Sequence, residues 1–251
     1  MQDSQAYKTK KAFFEKMITL YGRNVTIEVL QDETIEIYKL HMCDSNVKDG
    51  NIKKIEKLAK QRGIEIVQHN KASLSRISKN AKQDQGVAVD IVTKTYQNAS
   101  EILNLKNYRL IALDGVQNPQ NLGLIIRSCA GGDIDGIILP KKGSAKISPL
   151  VMKASAGTLF KIPIYFCNKL EDILPKLDGA DLFLLDSHAK ESIQNIHEKD
   201  KTIYVLGNES DGVSKKIRSL CNRSLIIPMN RGIESLNVAI TASLIAFRNR
   251  L

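Results

Sequence analysis

The stretch Val205-Leu-Gly-Asn-Glu-Ser-Asp-Gly-Val-Ser214 decides the architecture. It reads as a buried strand that stops at Gly207, releases the carboxylate Glu209 into a turn, and starts a helix near Val213. A second segment, Ile227-Pro-Met-Asn-Arg-Gly-Ile-Glu-Ser-Leu-Asn-Val238, repeats the arrangement. Its strand stops at Pro228, its loop carries Asn230, Arg231 and Gly232, and Ser235 takes the expected N-cap position of a helix with Val238, Ile240, Leu244, Ile245 and Phe247. Two such strand ends side by side make a crevice.

Working outward, apolar runs at residues 110–113, 136–139, 162–166, 181–185, 202–206 and 225–227 are expected strands, with helical stretches in most of the gaps. This alternation predicts an α/β fold, a mostly parallel sheet with helices on both faces, whose ligand sites lie at the carboxyl ends of the strands. Upstream, residues 1–95 read as a separate small α/β module. Residues 13–20 read as a short helical turn or a frayed start, then comes a helix with Val25, Val29 and Leu30 inward, and then a strictly alternating strand over 35–42. A basic helix follows, with Ile52, Ile55, Leu58 and Ala59 inward and Lys53, Lys54, Lys57, Lys60 and Arg62 on the other face. Strands over 64–68 and 85–92 and a short helix over 74–77 complete the module. Residues 96–106, rich in Asn and Ser, read as a linker ahead of a second domain at 107–251.

The chain has 37 Lys plus Arg against 27 Asp plus Glu, a net charge of +10 that favours a polyanionic partner such as nucleic acid or the ribosome. The first hundred residues hold 17 basic and 12 acidic groups, so the excess is not confined to one tail. Cys43, Cys129, Cys167 and Cys221 are widely separated, which fits neither a zinc site nor a disulfide framework and points to a reducing, cytoplasmic setting. The N-terminus lacks a signal-peptide core, and no run approaches the ~18 apolar residues of a membrane span. No Walker A motif occurs, Ala130-Gly-Gly-Asp-Ile-Asp-Gly136 stands in the wrong context for a dinucleotide site, and the four histidines lack metal-ligand spacing. His188 follows the strand end Leu184-Leu-Asp186, where a pocket wall is one reading and a solvated loop histidine the favoured one. Lys153-Ala-Ser-Ala-Gly157 reads as a helix end capped by Gly157.

In Leu113-Asp-Gly-Val-Gln-Asn-Pro-Gln-Asn-Leu-Gly-Leu-Ile-Ile-Arg-Ser128, Asn118-Pro119 begins a helix. Its inward stripe of Leu122, Ile125, Ile126 and Cys129 leaves Asn121, Arg127 and Ser128 near another face. This stretch, together with Val205 to Ser214 and Ile226 to Ala242, resembles the three motifs of the SpoU, or TrmH, family of RNA 2′-O-ribose methyltransferases in the SPOUT superfamily. Tyr21-Gly-Arg-Asn-Val25 and Asp84-Gln-Gly-Val87 make the N-terminal module similar to the substrate-binding domain of the RlmB-type subgroup. The chain departs from the family pattern at Asn118, where Asp is usual, before Gly132, where an aromatic is usual, and at Asp84, where His is usual.

The resemblance implies a C-terminal trefoil knot, a homodimer, S-adenosylmethionine as cofactor with no metal, and RNA rather than DNA or membrane as partner. It implies Arg127, Asn121, Glu209, Ser235 and Asn237 as catalytic residues, and Leu206, Gly207, Asn208, Ile227, Met229, Ser235 and Leu236 as cofactor-binding residues. The expected substrate is a guanosine of 23S rRNA, with tRNA or another rRNA nucleotide as alternatives. A ribosome assembly factor with a vestigial site is the non-enzymatic alternative, against which the intact Arg127, Glu209, Ser235 and Asn237 argue.

Overall fold

The computed structural model describes residues 17–80, 83–93, 95–208 and 210–250. They form two compact units that divide between residues 94 and 95. The first contains β1 (Met17–Tyr21), α1 (Arg23–Gln31), β2 (Glu36–Cys43), α2 (Gly50–Gln61), β3 (Ile66–His69), α3 (Lys71–Ser78) and β4 (Val87–Val92). Its sheet runs β1-β4-β2-β3, with β4 antiparallel to both neighbours and β2 parallel to β3. Residues 17–20, expected as a helical turn, belong to β1, because Leu20 pairs with Val89 and is fully buried; long-range pairing overrides the local pattern. The remainder of that expected turn, 13–16, lies outside the described residues. The second half of β2 is buried on both faces, so its alternation is lost there.

In α2, Ile52, Ile55 and Ala59 are buried and Lys53, Lys54, Lys57 and Lys60 are exposed. Arg62 departs from the expected basic face. Its guanidinium donates to the carbonyls of Val29, Leu30, Asp32 and Ile35, satisfying acceptors that the end of α1 leaves open. Asp84 is buried and accepts hydrogen bonds from Ser78 Oγ (2.9 Å) and Gly86 N (3.0 Å), holding a turn in which Gln85 and Gly86 both have positive φ.

The second unit carries β5 (Tyr96–Asn98), β6 (Tyr108–Leu113), α4 (Pro119–Gly131), β7 (Gly136–Pro140), α5 (Pro149–Ser155), β8 (Ile164–Cys167), β9 (Asp181–Leu185), β10 (Glu191–Ser192), β11 (Lys201–Leu206), α6 (Lys215–Arg218), β12 (Arg223–Ile226) and α7 (Val238–Phe247). Its eight strands are all parallel, in the order β10-β12-β9-β11-β6-β7-β8-β5. The segment expected as a linker, 96–106, is instead part of this unit. Tyr96 to Asn98 pair with β8 as the edge strand, and Ala99 and Ile102 enter the core from a 3-10 turn. Only three residues pair, too few for a strand pattern to register in sequence.

One face of the sheet buries Leu110, Ala112, Ile138, Leu184, Ile203 and Val205 against 3-10 turns and Ile217 of α6. The expected helices on both faces are therefore only partly realised. Long helices cover one face, and the 13 residues between β8 and β9, which include Pro175 and Gly179, leave room only for 3-10 turns on the other. On the helical side α4 meets α5 and α7 at close range. A Cβ on Gly123 would fall 2.4 Å from Ala154 Cβ, and one on Gly132 would fall 2.4 Å from the Ala246 carbonyl oxygen. The far end of α7 is fastened by Arg109 and Arg248, both paired with Glu198 (2.8 and 3.0 Å). Arg109 also donates to the Ile245 carbonyl (3.3 Å) and Arg248 to that of Ile196 (2.6 Å). All four cysteines are free thiols, and no helix among the described residues is long and apolar enough to cross a membrane.

Candidate active site

The sheet order changes direction at β6. The chain proceeds from it to β7 and β8 on one side and later builds β11, β9 and β12 on the other. At such a switch the loops leaving neighbouring strands diverge and open a crevice at the carboxyl ends. A cleft of about 470 Å3 lies there, between the ends of β9, β11 and β12 and the start of α7. Its volume lies within the roughly 300–1,000 Å3 usual for small-molecule sites.

Leu206, Gly207 and Asn208, at the end of β11, line this cleft. So do Ile227, Met229, Ser235 and Leu236, from the segment between β12 and α7. The β11 loop is drawn tight by its own backbone. Asn208 Oδ1 accepts from Ser210 N (2.8 Å) and Asp211 N (2.7 Å), and Gly212 N donates to the Asn208 carbonyl (3.2 Å). A Cβ at Gly207 would lie 2.0 Å from the Gly212 carbonyl carbon, so only glycine lets the two stretches of loop pass. Asp114, one residue past β6, secures the loop from the other side. Its amide donates to the Leu206 carbonyl (2.8 Å), and its carboxylate accepts from Ser214 N (2.7 Å) at the start of α6.

Asp186, His188 and Arg218 also line the cleft. Burial pushes the Asp186 pKa up, but the His188 amide (3.0 Å) and the paired Arg218 guanidinium outweigh it and hold the carboxyl below its ordinary value. His188 is an exposed loop residue, as expected, and at the same time part of the cleft's wall. The sequence signal was a strand, Leu184-Leu-Asp186, ending on a carboxylate, which is too common to single out. Among the described residues, no three His, Cys, Asp or Glu side chains stand together as a metal site.

Asn121, Arg127 and Asn237 do not line the cleft. They lie along the seam where α4 and α7 run side by side in the same direction. Asn118 caps α4, its Oδ1 accepting from Gln120 N (2.8 Å), a task Asn performs as well as the Asp usual in the family. Asn121, one turn in, is buried, and its Oδ1 accepts from Asn237 Nδ2 (3.2 Å). Farther along the seam, the Ser128 and Ser243 hydroxyls meet at 2.7 Å. The N-cap of α7 is Asn237, whose Oδ1 accepts from Ala239 N (2.8 Å), and not Ser235 as expected. The helix starts two residues later because Ser235 faces the cleft. Similarly α5 ends at Ser155 with Ala156 as its left-handed cap, ahead of Gly157. Arg127 is exposed on the outer face of α4, immediately before the seam's Ser128, and makes no hydrogen bond or ion pair with a described residue. Glu209 lies outside the described residues.

Residues 108–247 match the SpoU rRNA methylase family. The chain belongs to that family. Residues 19–97 match the family described as RNA 2′-O-ribose methyltransferase substrate binding, so the whole two-part order of a SpoU RNA methyltransferase is present. Among SpoU relatives, the 23S rRNA (guanosine-2′-O-)-methyltransferase RlmB of Xylella fastidiosa is 27% identical over 91% of this chain and 94% of its own. The putative TrmH family tRNA/rRNA methyltransferase YacO of Bacillus subtilis is 28% identical over 90% and 92%. The fold matches the crystal structure of the SpoU methyltransferase AviRb from Streptomyces viridochromogenes in complex with AdoMet, with a TM-score of 0.67 and 20% identity over 98% of this chain and 94% of that one.

Proposed function

We propose that this SpoU-family RNA methyltransferase uses S-adenosylmethionine to methylate a ribose 2′-hydroxyl of RNA, on a guanosine of 23S rRNA. The observation that carries the reading is the cleft, where the backbone of two freed strand ends and the side chains of Ile227, Met229 and Leu236 face one space. Peptide groups at Leu206, Gly207 and Asn208 can bind the polar edge of an adenine while the three apolar side chains cover its faces. When bound, the cofactor supplies a methyl group on a sulfonium, already a good leaving group.

The chain's own task is then to align the hydroxyl and help it lose its proton. Ser235, Asn237 and Asn121 connect the cleft to the seam and orient the hydroxyl, and Glu209 acts with them. Arg127 binds substrate phosphate and stabilises the developing alkoxide, since the forked N–H donors of a guanidinium match phosphate and alkoxide oxygens. Arg127 stands outside the cleft of its own chain, and Leu124, Ile240 and Leu244 form an exposed apolar strip on the same two helices. A second copy seated on this strip, as a homodimer, completes the site. The chain leaves β12, outside β9, and returns past the ends of β9 and β11 to α7 beside α4; this route supports a trefoil threading of the C-terminal segment. The RlmB relative and the basic face of α2 support the rRNA assignment. The reading implies a cytoplasmic enzyme, which the four free thiols fit.

The test offers S-adenosylmethionine labelled in its methyl group with purified 23S rRNA and, separately, tRNA. Label in 23S rRNA at a linkage that resists alkaline cleavage is expected, because a methylated 2′-oxygen cannot attack its phosphate. Label only in tRNA would replace the substrate, and label on a base would overturn the reaction.

A further inference from the structure

Between Gly136 and Leu170 the chain carries six lysines and no arginine, aspartate or glutamate, against a whole-chain excess of +10. All six are exposed. The lysine ion pairs among the described residues belong instead to Lys39 and Lys199. Three of the six, Lys141, Lys142 and Lys146, fall in the loop between β7 and α5, at the same end of the sheet as the cleft. The loop is anchored at two points. Lys141 N donates to the carbonyl of Cys167 (2.9 Å), the last residue of β8, and Ala145 N donates to the Val116 carbonyl (2.8 Å) in the loop that leads into α4. Gly143, at φ +81°, turns the chain between these anchors. The backbone that carries these three exposed lysines is thereby anchored beside the segment that leads into the helix of Asn121 and Arg127. At the β8 anchor, burial first of all raises the Cys167 thiol's pKa, Asp172 and Glu171 add to the rise, and the charge of Lys141 opposes it.

The cleft has the opposite balance, since Asp186, Asp211 and Glu234 line it against Arg218. An RNA strand whose ribose enters there is repelled from the cleft's own rim and attracted to the β7 side. Phosphates contacted by lysine release counterions and so contribute both affinity and salt dependence. We propose that the loop at 141–148 is a phosphate clamp of the catalytic unit, with Lys141, Lys142 and Lys146 engaging the backbone of the RNA strand that delivers the target ribose. The proposal rests on the RNA methyltransferase reading and adds a contact surface separate from the N-terminal module.

The experiment measures binding of the full chain to purified 23S rRNA between about 50 and 200 mM salt, for wild type and for Lys141→Ala/Lys142→Ala/Lys146→Ala. Three lost single-strand contacts at about 0.7 each reduce the slope of log affinity against log salt by about 2, and affinity at low salt falls about tenfold or more. The corresponding triple arginine variant keeps the wild-type slope. Unchanged affinity for S-adenosylmethionine shows that the alanine variant is folded. An alanine variant with the wild-type slope and affinity would overturn the clamp. A wild-type protein that transfers no methyl to any RNA would instead overturn the activity on which the clamp rests, so the two failures are distinguishable.

Discussion

The cleft and the α4–α7 seam are a few residues apart in the chain and are built on different principles. The cleft is shaped by backbone: a glycine that must pass another glycine, an Asx turn at Asn208, and Asp114 joining two loops. Its geometry is complete within one chain. The seam depends on side chains, and Arg127, on the helix face beside it, points outward with no described partner, next to apolar residues that are also uncovered. Binding of the cofactor and execution of the chemistry are therefore expected to be separable, the first needing one folded chain and the second needing something to close over α4 and α7.

The largest separation is expected from Gly207→Ala. The added methyl group forces the β11 loop open, so affinity for S-adenosylmethionine falls by about tenfold or more, with methyl transfer lost in parallel. Calorimetric titration reads this, and binding of rRNA stays at the wild-type level.

Next is the paired variant Leu124→Asp/Ile240→Asp. It places unpaired carboxylates in what the account makes a desolvated contact, at a cost of several kcal/mol. Light scattering should then report monomers that still bind the cofactor but transfer methyl groups far more slowly. A wild-type protein that is already a fully active monomer would remove the need for a second copy.

Asn237 divides the seam more finely. Asn237→Ala loses both the helix cap and the donor to Asn121, and should lower stability by about 1 kcal/mol as well as turnover. Asn237→Asp keeps an acceptor for Ala239 N but loses the donor, so stability in denaturant titration should return while turnover does not. Equal stability losses in both variants would show that the Asn121 contact, not the cap, holds the helix.

The smallest effect concerns the foot of α7. Burial, reinforced by a hydrogen bond to Glu198, pushes the Tyr204 hydroxyl up to about 12. A raised folded-state value means that its contribution to stability is full below the unfolded value near 10 and is lost as pH rises from there through about 12. Tyr204→Phe should flatten that alkaline limb of the unfolding curve, and an unaltered limb would assign it to other groups.

Much of this division was legible in the residues and some was not. Buried strands such as 201–206 and the helix α7 show as continuous apolar runs, and Asn118-Pro119 announces the start of α4. The residues proposed to bind the cofactor share one cleft, yet no spacing could show that the ends of β9, β11 and β12 converge, and those positions came from resemblance. Short elements failed because their stability is tertiary: β1 is held by pairing with β4, and β5 by pairing with β8. Ser235 and Asn237 are both good caps, and local sequence cannot decide which of two caps a cleft will claim. Arg62 had the periodicity of a surface charge, and only the approach of α1's last carbonyls made it an internal fastener.

The account is tested most directly by Arg127→Ala, with cofactor affinity and methyl transfer to 23S rRNA measured on the same preparation. Transfer should fall by about 10²–10³-fold or more, the scale of removing a donor to a developing oxyanion, while affinity for S-adenosylmethionine stays within about twofold. Retained transfer, or affinity lost in step with transfer, would contradict the separation of cleft from seam.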